Sequence, residues 1–540
     1  MNSLYDKYII SAIESLPKNS EELLVLKKKL SKELQLPIPT NADMRDQYEK
    51  LVKAKKIKRS FDFEKSLISR RIRTQSGVAV IAVLTKSYPC PGKCLYCPTE
   101  KDMPKSYLSN EPAVMRAISS QFDPYRQVQN RLRSLELNGH QTDKIELIVM
   151  GGTFSYLPKP YQKKFITECF RACNDYPKCH PEFISGSKKM LKQVQHDKLI
   201  KEQKRNEKAK HRIVGLTLET RPDYIDEKEI LNFRKLGCTR VELGVQSIFD
   251  DVLRINKRGH LVDRTVEATK LLKDAGFKIN YHMMPGLPGS TQAKDFKMFK
   301  QLFESQDFQP DMLKIYPTVV VKNSALYNFW KKGKYKPLTD KVFTKLVLRI
   351  KNEAIVPYVR IARLVRDVPE TSIEAGPKVS NLRQIIIPHS KCPCIRCREV
   401  KEDYDIKEDM VLDRIDYAAS DGKEIFLQYV SRDKKKLFAL LRLRIPSEKN
   451  KKNPIGVLRD SAIIREVHTY GKLAKINTKD DASPQHIGLG RKLMIEAERI
   501  SKEEFGYGRI VVISGVGVRG YYRKSGYKLR DTYMVKNLAK

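Results

Sequence analysis

The sequence predicts an α/β protein: an open barrel of six strand–helix units, preceded by a basic helical region and followed by a smaller α+β domain. Three observations carry this expectation. Between residue 78 and about residue 318, short β-branched runs alternate with helix-length amphipathic stretches, the pattern of a parallel sheet with crossover helices. The first 77 residues lack such runs and place apolar residues at helical spacing among many lysines. Near the C-terminus, strand-like runs resume around a glycine-rich turn that opens a helix. A chain of 540 residues has room for two or three domains.

In the N-terminal region the run from Leu23 to Leu30 is helical in spacing, and Pro37 and Pro39 break it. Basic blocks follow at Lys53–Arg59 and Arg70–Arg73; they suit phosphates, although any one block is by default a solvated helix face. Barrel strands are expected at 78–84, 145–150, 213–218, 240–245, 278–282 and 312–316, with helices near 112–137, 161–173, 263–275 and 293–304. Chemistry in such a barrel sits at the C-terminal strand ends. The chain carries 104 Lys and Arg against 64 Asp and Glu, a net charge of +40, which calls for a polyanionic partner. A lysine-rich proteome would supply part of that charge without function. No apolar run is long enough to span a bilayer and the start lacks the form of a signal peptide, so nucleic acid is expected rather than membrane.

Six of the ten cysteines fall in two tight clusters, which without an export signal means metal in a reducing cytoplasm rather than disulfides. Cys90, Cys94 and Cys97 lie after the first strand with CxxxCxxC spacing, and Tyr96 precedes the last of them. Three thiolates hold three irons of a 4Fe–4S cluster and leave the fourth iron open. A zinc knuckle would need a fourth ligand, for which Glu100 and Asp102 compete. The cysteine loop resembles that of radical S-adenosylmethionine (SAM) enzymes, whose open iron grips SAM. Gly151 and Gly152 follow the second strand, where those enzymes place backbone against the SAM amino group.

His389, Cys392, Cys394 and Cys397 form a second set, one imidazole and three thiolates, enough for a closed structural zinc site between barrel and C-terminal domain. Residues 178–212, rich in lysine and containing Cys179, His180 and His196, look inserted and are expected to be an exposed, poorly ordered loop without catalytic role. Toward the C-terminus, strands are expected at 438–445, 462–468 and 509–514. Gln485-His-Ile-Gly-Leu-Gly-Arg491 opens a helix in the manner of the pyrophosphate loop of GNAT acetyltransferases, where helix N–H groups meet coenzyme A. Tyr521 and Tyr522 match an aromatic-rich turn of those proteins; packing at a domain edge would also explain them.

A radical SAM barrel joined to a GNAT domain is a rare pairing. With the stretches Asp143–Phe154, Glu242–Ser247, Leu313–Thr318, Arg465–Gly471 and Ser514–Gly517, the chain resembles the catalytic subunit of Elongator in its stand-alone prokaryotic form, from about Ser76 onward except the insert. The basic blocks make residues 1–77 the expected tRNA-binding region, and the His/Cys set puts a zinc linker at 331–415; the resemblance implies a partial (β/α)6 radical SAM barrel at 78–330 and a GNAT domain at 416–540. It implies that an adenosyl radical takes hydrogen from the methyl of acetyl-CoA. The carbon radical then adds to C5 of the wobble uridine in a tRNA anticodon stem-loop, and thioester hydrolysis leaves 5-carboxymethyluridine. Lys144 would help hold acetyl-CoA, although a surface lysine opening a strand is the plain alternative. Glu466, Val467, His468, Thr469, Gln485, Gly488, Leu489, Gly490, Arg491 and Tyr522 would bind the same molecule. Lys314, Tyr316, Tyr521 and Tyr522 are the candidate catalytic groups, and an electron donor for the cluster is a required partner. The alternatives are a protein lysine acetyltransferase with a structural iron–sulfur barrel and a non-catalytic tRNA adaptor. The complete cysteine motif argues against the first and the intact CoA loop against the second.

Overall fold

A computed structural model describes residues 4–15, 17, 19–68, 77–177, 192–401, 409–471 and 488–538. The N-terminal region folds as four helices, Leu4–Glu14, Ser20–Glu33, Asn41–Lys53 and Phe61–Ser66. Their starts are capped by side chains: Asn19 accepts from the amides of Glu21 and Glu22, and Thr40 and Asp43 form a capping box. The helices bury a core of their own, including Tyr8, Leu23, Met44, Tyr48 and Phe63. Lys53–Arg59 is largely solvent-facing, with Lys56 paired to Asp6 and Arg59 to Glu49 and Glu64. Arg70–Arg73 lies outside the described residues.

The central sheet is parallel throughout, in the order β1 (Ala79–Leu84), β2 (Lys144–Met150), β3 (Arg212–Thr220), β4 (Arg240–Gln246), β5 (Lys278–Met283), β6 (Met312–Ile315) and β7 (Arg360–Arg363). All six expected strands are present. The seventh was not anticipated, because only four residues of it run in the sheet and arginines flank its apolar centre. Alternation sorts the faces. In β2, Ile145, Leu147 and Val149 are buried in the core under the helices, whereas Lys144 and Glu146 are half-exposed on the other face. The expected helix at 112–137 is two, Pro112–Ser119 and Pro124–Leu137, separated where Gln121 and Phe122 take positive φ.

The expectation of a disordered insert is corrected for its second half. Lys192–Asn206 is a helix, Leu199 is buried in the barrel core, and Arg212 already belongs to β3. Its lysines hide the helix from a compositional reading, but Asn206 ties it down. Its amide donates to Asn174 Oδ1 (2.8 Å) and to the carbonyl of His211 (3.1 Å), and its oxygen accepts from the amide of Ile213 (2.8 Å). Cys179 and His180 lie outside the described residues, as does the side chain of His196.

A second, mixed sheet has the order β13-β14-β12-β11-β10-β9-β8. Its strands are β8 (Met410–Ala419), β9 (Gly422–Ser431), β10 (Leu437–Ile445), β11 (Ala462–Thr469), β12 (Arg509–Val512), β13 (Lys528–Arg530) and β14 (Tyr533–Asn537). β8 begins before residue 416, so the expected boundary falls inside a strand. This domain docks at the N-terminal ends of the barrel strands. Arg465 bridges Asp311, just before β6, and Glu424 of β9, while Arg444 pairs with Asp274, just before β5. A Cβ on Gly515 would stand 2.0 Å from the carbonyl oxygen of Val214 in β3, so only glycine permits this approach. Among the described residues no helix is long and apolar enough to cross a membrane.

Candidate active site

The cysteine loop leaves the C-terminal end of β1. Backbone bonds anchor it from two sides: the Leu95 amide donates to Asn256 (3.1 Å), and the Leu95 carbonyl accepts from Leu326 (2.8 Å). Cys94 is buried, and Cys90 and Cys97 are half-buried. Arg258 Nη1 lies 3.5 Å from Cys94 Sγ and Arg221 Nη1 lies 3.9 Å away, with Arg221 itself oriented by Asp223. Burial opposes ionisation of Cys94, but the Arg258 and Arg221 guanidiniums outweigh it and hold the thiol below its usual value. Burial, with little to offset it, pushes Cys97 up to about 12. Three cysteines on one anchored loop, with two guanidiniums on Cys94, fit a group that takes three thiolates such as a 4Fe–4S cluster. Gly151 and Gly152 stand beside the loop with φ of +138° and +90°. A Cβ on Gly151 would lie 2.0 Å from Thr85 Oγ1, and the next residue, Thr153, reaches within 4.0 Å of Cys90 Sγ.

Below the loop, the half-exposed face of the sheet is charged. Glu242 of β4 accepts from His282 Nε2 (2.8 Å) and Asn280 Nδ2 (3.1 Å) of β5, and from Lys314 Nζ of β6. Glu219 of β3 lies 3.9 Å from Lys314 and accepts from the Tyr107 hydroxyl (2.7 Å). Tyr316 meets the His282 ring edge-on at 5.7 Å. Burial opposes the charge on Lys314, yet Glu242, Tyr316 and Glu219 overcome it and raise its pKa. Burial likewise opposes ionisation of Glu242, which Lys314 and His282 nonetheless hold well below the carboxylate range. Ligand atoms of Glu219, Glu242 and His282 come within 4.8 Å of one another, but the Lys314 ammonium already supplies their positive charge. The sequence made Lys314 and Tyr316, at this strand end, candidate catalytic groups; it put Glu219, Arg221 and His282 at strand ends without a role and gave none to Glu242 or Arg258. A signal was available, since polar side chains alternate with apolar ones over Arg240–Glu242 of β4 and over Lys278, Asn280 and His282 of β5.

At the opposite end of the same strands lies the second set. β11 pairs with β12 only from Ala462 to Ile464; there β12 ends while β11 runs on to Thr469, and this stretch without β12 is the β11–β12 gap. Glu466, Val467, His468 and Thr469, all on that stretch, are half-buried. Gly488, at φ +78°, opens the helix Leu489–Arg499, in whose first turn Arg491 lies. The Cα of Gly490 faces Tyr521 Oη, Thr469 and Val467, which would lie 3.2, 3.7 and 3.8 Å from an added Cβ. Tyr522 is buried and packs edge-on to Tyr521 at 5.2 Å. Gln485 lies outside the described residues. Lys278, opening β5, pairs with Glu466 at 2.9 Å. Lys144, opening β2, stands beside Arg212, against which Gly517 packs; burial lowers its pKa and Asp143 partly offsets this. The strand face thus runs from Lys144 and Lys278, through the Glu146–Arg240 pair (2.5 Å), to Glu242 and Lys314.

Cys392, Cys394 and Cys397 gather their sulfurs within 4.8 Å, and Lys351 Nζ donates to Cys397 Sγ (3.3 Å). This turn bridges the sheets: Ile395 bonds to Val359 beside β7, and Val400 to Leu437 of β10. His389 is exposed on the preceding turn and is outside that group.

An open parallel barrel with a three-cysteine loop after its first strand defines a radical SAM module, and the radical SAM superfamily model matches residues 86–302. The model of the radical SAM C-terminal domain matches residues 310–389. The chain belongs to the Elongator complex protein 3 family. It is 46% identical over 492 residues to the tRNA uridine(34) acetyltransferase of Methanocaldococcus infernus, covering 87% of this chain and 88% of that protein. It is 39% identical to human Elongator complex protein 3, covering 87% and 86%. A solved archaeal Elp3 of M. infernus with an N-terminal deletion superposes with a TM-score of 0.71 at 42% identity, covering 86% of this chain and 100% of that one.

Proposed function

We propose that this protein modifies the wobble uridine of tRNA, using acetyl-CoA and SAM to form 5-carboxymethyluridine. One observation carries the reading: the cysteine loop and the end of β11 beyond β12 lie at the two ends of one polar strand face, Lys278–Glu466 joining the latter to it. A cluster on Cys90, Cys94 and Cys97, with SAM, would supply a hydrogen-abstracting adenosyl radical. The chain's own residues do the rest. Gly488 and Gly490 let the helix N-terminus approach the diphosphate, where its amides meet negative charge. Glu466 to Thr469, with Tyr521 and Tyr522, orient the thioester toward the barrel. Lys144 and Lys278 flank its path along the strand face. Lys314 keeps a proton on Nζ and, with the Tyr316 hydroxyl, donates to the acyl oxygen while Glu242 and His282 hold the lysine in place.

The testing experiment uses methyl-deuterated acetyl-CoA, SAM, reductant and tRNA. Deuterium is expected in 5′-deoxyadenosine, with a carboxymethyl group on uridine. Intact acetyl transfer to protein lysines with SAM untouched would establish the lysine acetyltransferase reading instead.

The Cys392, Cys394 and Cys397 cluster is proposed to hold structural zinc, and His389, exposed outside that group here, is the proposed fourth ligand once it turns in. Cys394→Ala is expected to lose both zinc and thermal stability; a variant that keeps its zinc refutes the site. His389→Ala with unchanged zinc removes only the fourth-ligand assignment.

A further inference from the structure

Beside the cysteine loop, and outside the residues used above, lies a cavity of about 500 Å3. Its walls are the Gly286–Thr291 loop after β5, Ile255, and the segment carrying Phe329, Lys334, Tyr335 and Lys336. That volume is in the range of small-ligand pockets. The walls are built: Tyr335 Oη donates to the Gly286 carbonyl (2.6 Å), and Asn256 Nδ2 to the Pro288 carbonyl (2.8 Å). The buried Asp295 turns both oxygens to the loop, accepting from the Gly286 amide (2.8 Å) and Ser290 Oγ (2.6 Å). The cavity is tied to the radical site, because Asn256 accepts from the Leu95 amide and Leu326, heading the helix Ala325–Lys331, donates to the Leu95 carbonyl.

The rim is cationic and aromatic. Lys331, Lys332, Lys334 and Lys336 are exposed within six positions. Among the described residues, no carboxylate lies within ion-pairing distance of Lys332, Lys334 or Lys336. Lys331 Nζ lies over the rings of Tyr327 (5.6 Å) and Trp330 (5.5 Å). Alternating aromatic and cationic side chains around a nucleotide-sized cavity match single-stranded nucleic acid, whose bases stack and whose phosphates pair. A protein tail or a lipid surface would use the charge but not the cavity.

We propose that this cavity and its lysine rim form a nucleotide subsite for the RNA substrate. A base neighbouring the reacting uridine turns in against Phe329 and Tyr335, and its flanking phosphates rest on Lys334 and Lys336. The subsite rests on the reading that the substrate is RNA. It positions the reacting nucleotide at the cysteine loop by holding its neighbour, and it adds a base-by-base preference that phosphate contacts alone lack.

Trp330, the chain's single tryptophan, directly follows the wall residue Phe329 and lies under Lys331, so its emission reports on the segment beside the cavity. The full-length protein is titrated with an end-labelled anticodon stem-loop RNA, following label anisotropy and Trp330 emission together. Both signals are expected to saturate at the same RNA concentration. The Lys334→Glu/Lys336→Glu variant, altered only at exposed side chains and checked by thermal melting, is expected to bind ~10-fold or more weakly. Its log–log salt slope should be shallower by about 1.4, two single-strand phosphate contacts. Phe329→Ala is expected to weaken binding by ~5-fold or more, the lower range for one lost stacked base. An abasic nucleotide beside the target uridine should reproduce the Phe329→Ala loss and add nothing to it. Unchanged RNA affinity in the charge-reversed variant, with Trp330 emission unmoved while anisotropy rises, would overturn the subsite and leave the RNA reading intact. Failure of the unaltered chain to bind the stem-loop would overturn both.

Discussion

Lys314 is a charged side chain that stays charged although buried, because two carboxylates surround it. Burying an ammonium costs several kcal/mol unless partners compensate, so its protonated state is set by Glu242 more than by solvent. In the proposed mechanism its N–H groups meet developing negative charge on the acyl oxygen. Lys314→Met is expected to lower carboxymethyluridine formation by about 10²-fold or more, the scale seen when one such donor is lost. Removing only the lysine would also leave Glu242 buried with Arg240, 3.9 Å away, as its remaining permanent cation. The paired variant Lys314→Met/Glu242→Gln restores neutrality and should recover thermal stability without recovering rate. Product yields measured under single-turnover conditions decide the matter. Near wild-type yield in either variant would reduce Lys314 to a structural counter-ion. Lys314 and Tyr316 were legible from their position at a strand end. Glu242 and His282 acquire meaning only when neighbouring strands bring them to 2.8 Å.

At the scale of elements, the helix Lys192–Asn206 shows how composition misleads. It is polar and lysine-rich, with no apolar stripe strong enough to announce itself, yet Leu199, Glu202, Gln203 and Asn206 are buried. Asn206 acts as a clasp between this helix, the helix Lys159–Asp175 and the start of β3. Asn206→Ala leaves the amide of Ile213 and the carbonyl of His211 without this partner, and the expected loss is about 1–3 kcal/mol of stability. Chemical denaturation of the variant checks this, and an unchanged midpoint would show the helix to be dispensable. The second glycine-rich turn was read correctly as a helix start. What the turn faces was not readable, because Tyr521 and Gly490 are distant in sequence and meet only through the fold.

For the whole molecule, the decisive feature is which end of the barrel meets the second domain. Docking at the N-terminal strand ends puts the β11–β12 gap below the strand face and the cysteine loop above it. About six residues of β5 separate Lys278 from the far end, roughly 20 Å at strand rise. In the proposed mechanism the acyl group therefore travels along the face to meet a radical that acts only at contact range. Buried charges hold this arrangement: Arg465 with Asp311 and Glu424, Arg444 with Asp274, and Arg442 with Asp311. Gly515 sets the closest backbone approach. Gly515→Ala should force the turn away from Val214, lowering stability by about 1–3 kcal/mol as overpacking does. It should also weaken the dependence of SAM cleavage on acetyl-CoA. Turnover assays with and without acetyl-CoA provide the readout, and full coupling in this variant would mean that the docking geometry does not link the sites.

The sequence by itself determined the strand–helix order, the three-thiolate loop, the glycine turn and the excess of positive charge. These are local properties: ligand spacing, period-two and helical alternation, and composition each act within one or two turns of chain. Family membership followed from the same local signals, since the motifs are contiguous. Tertiary structure alone decided which residues oppose one another. It assembled Glu219, Glu242, His282 and Lys314 from four strands, drew Arg221 and Arg258 onto Cys94, and gathered three thiols at 392–397 while leaving His389 exposed. It also set the cysteine loop and the β11 end with its glycine-rich turn at opposite ends of one face. The physical reason is that a parallel sheet sets side by side residues tens of positions apart. Charge balance and domain docking are settled across those strands, not along the chain.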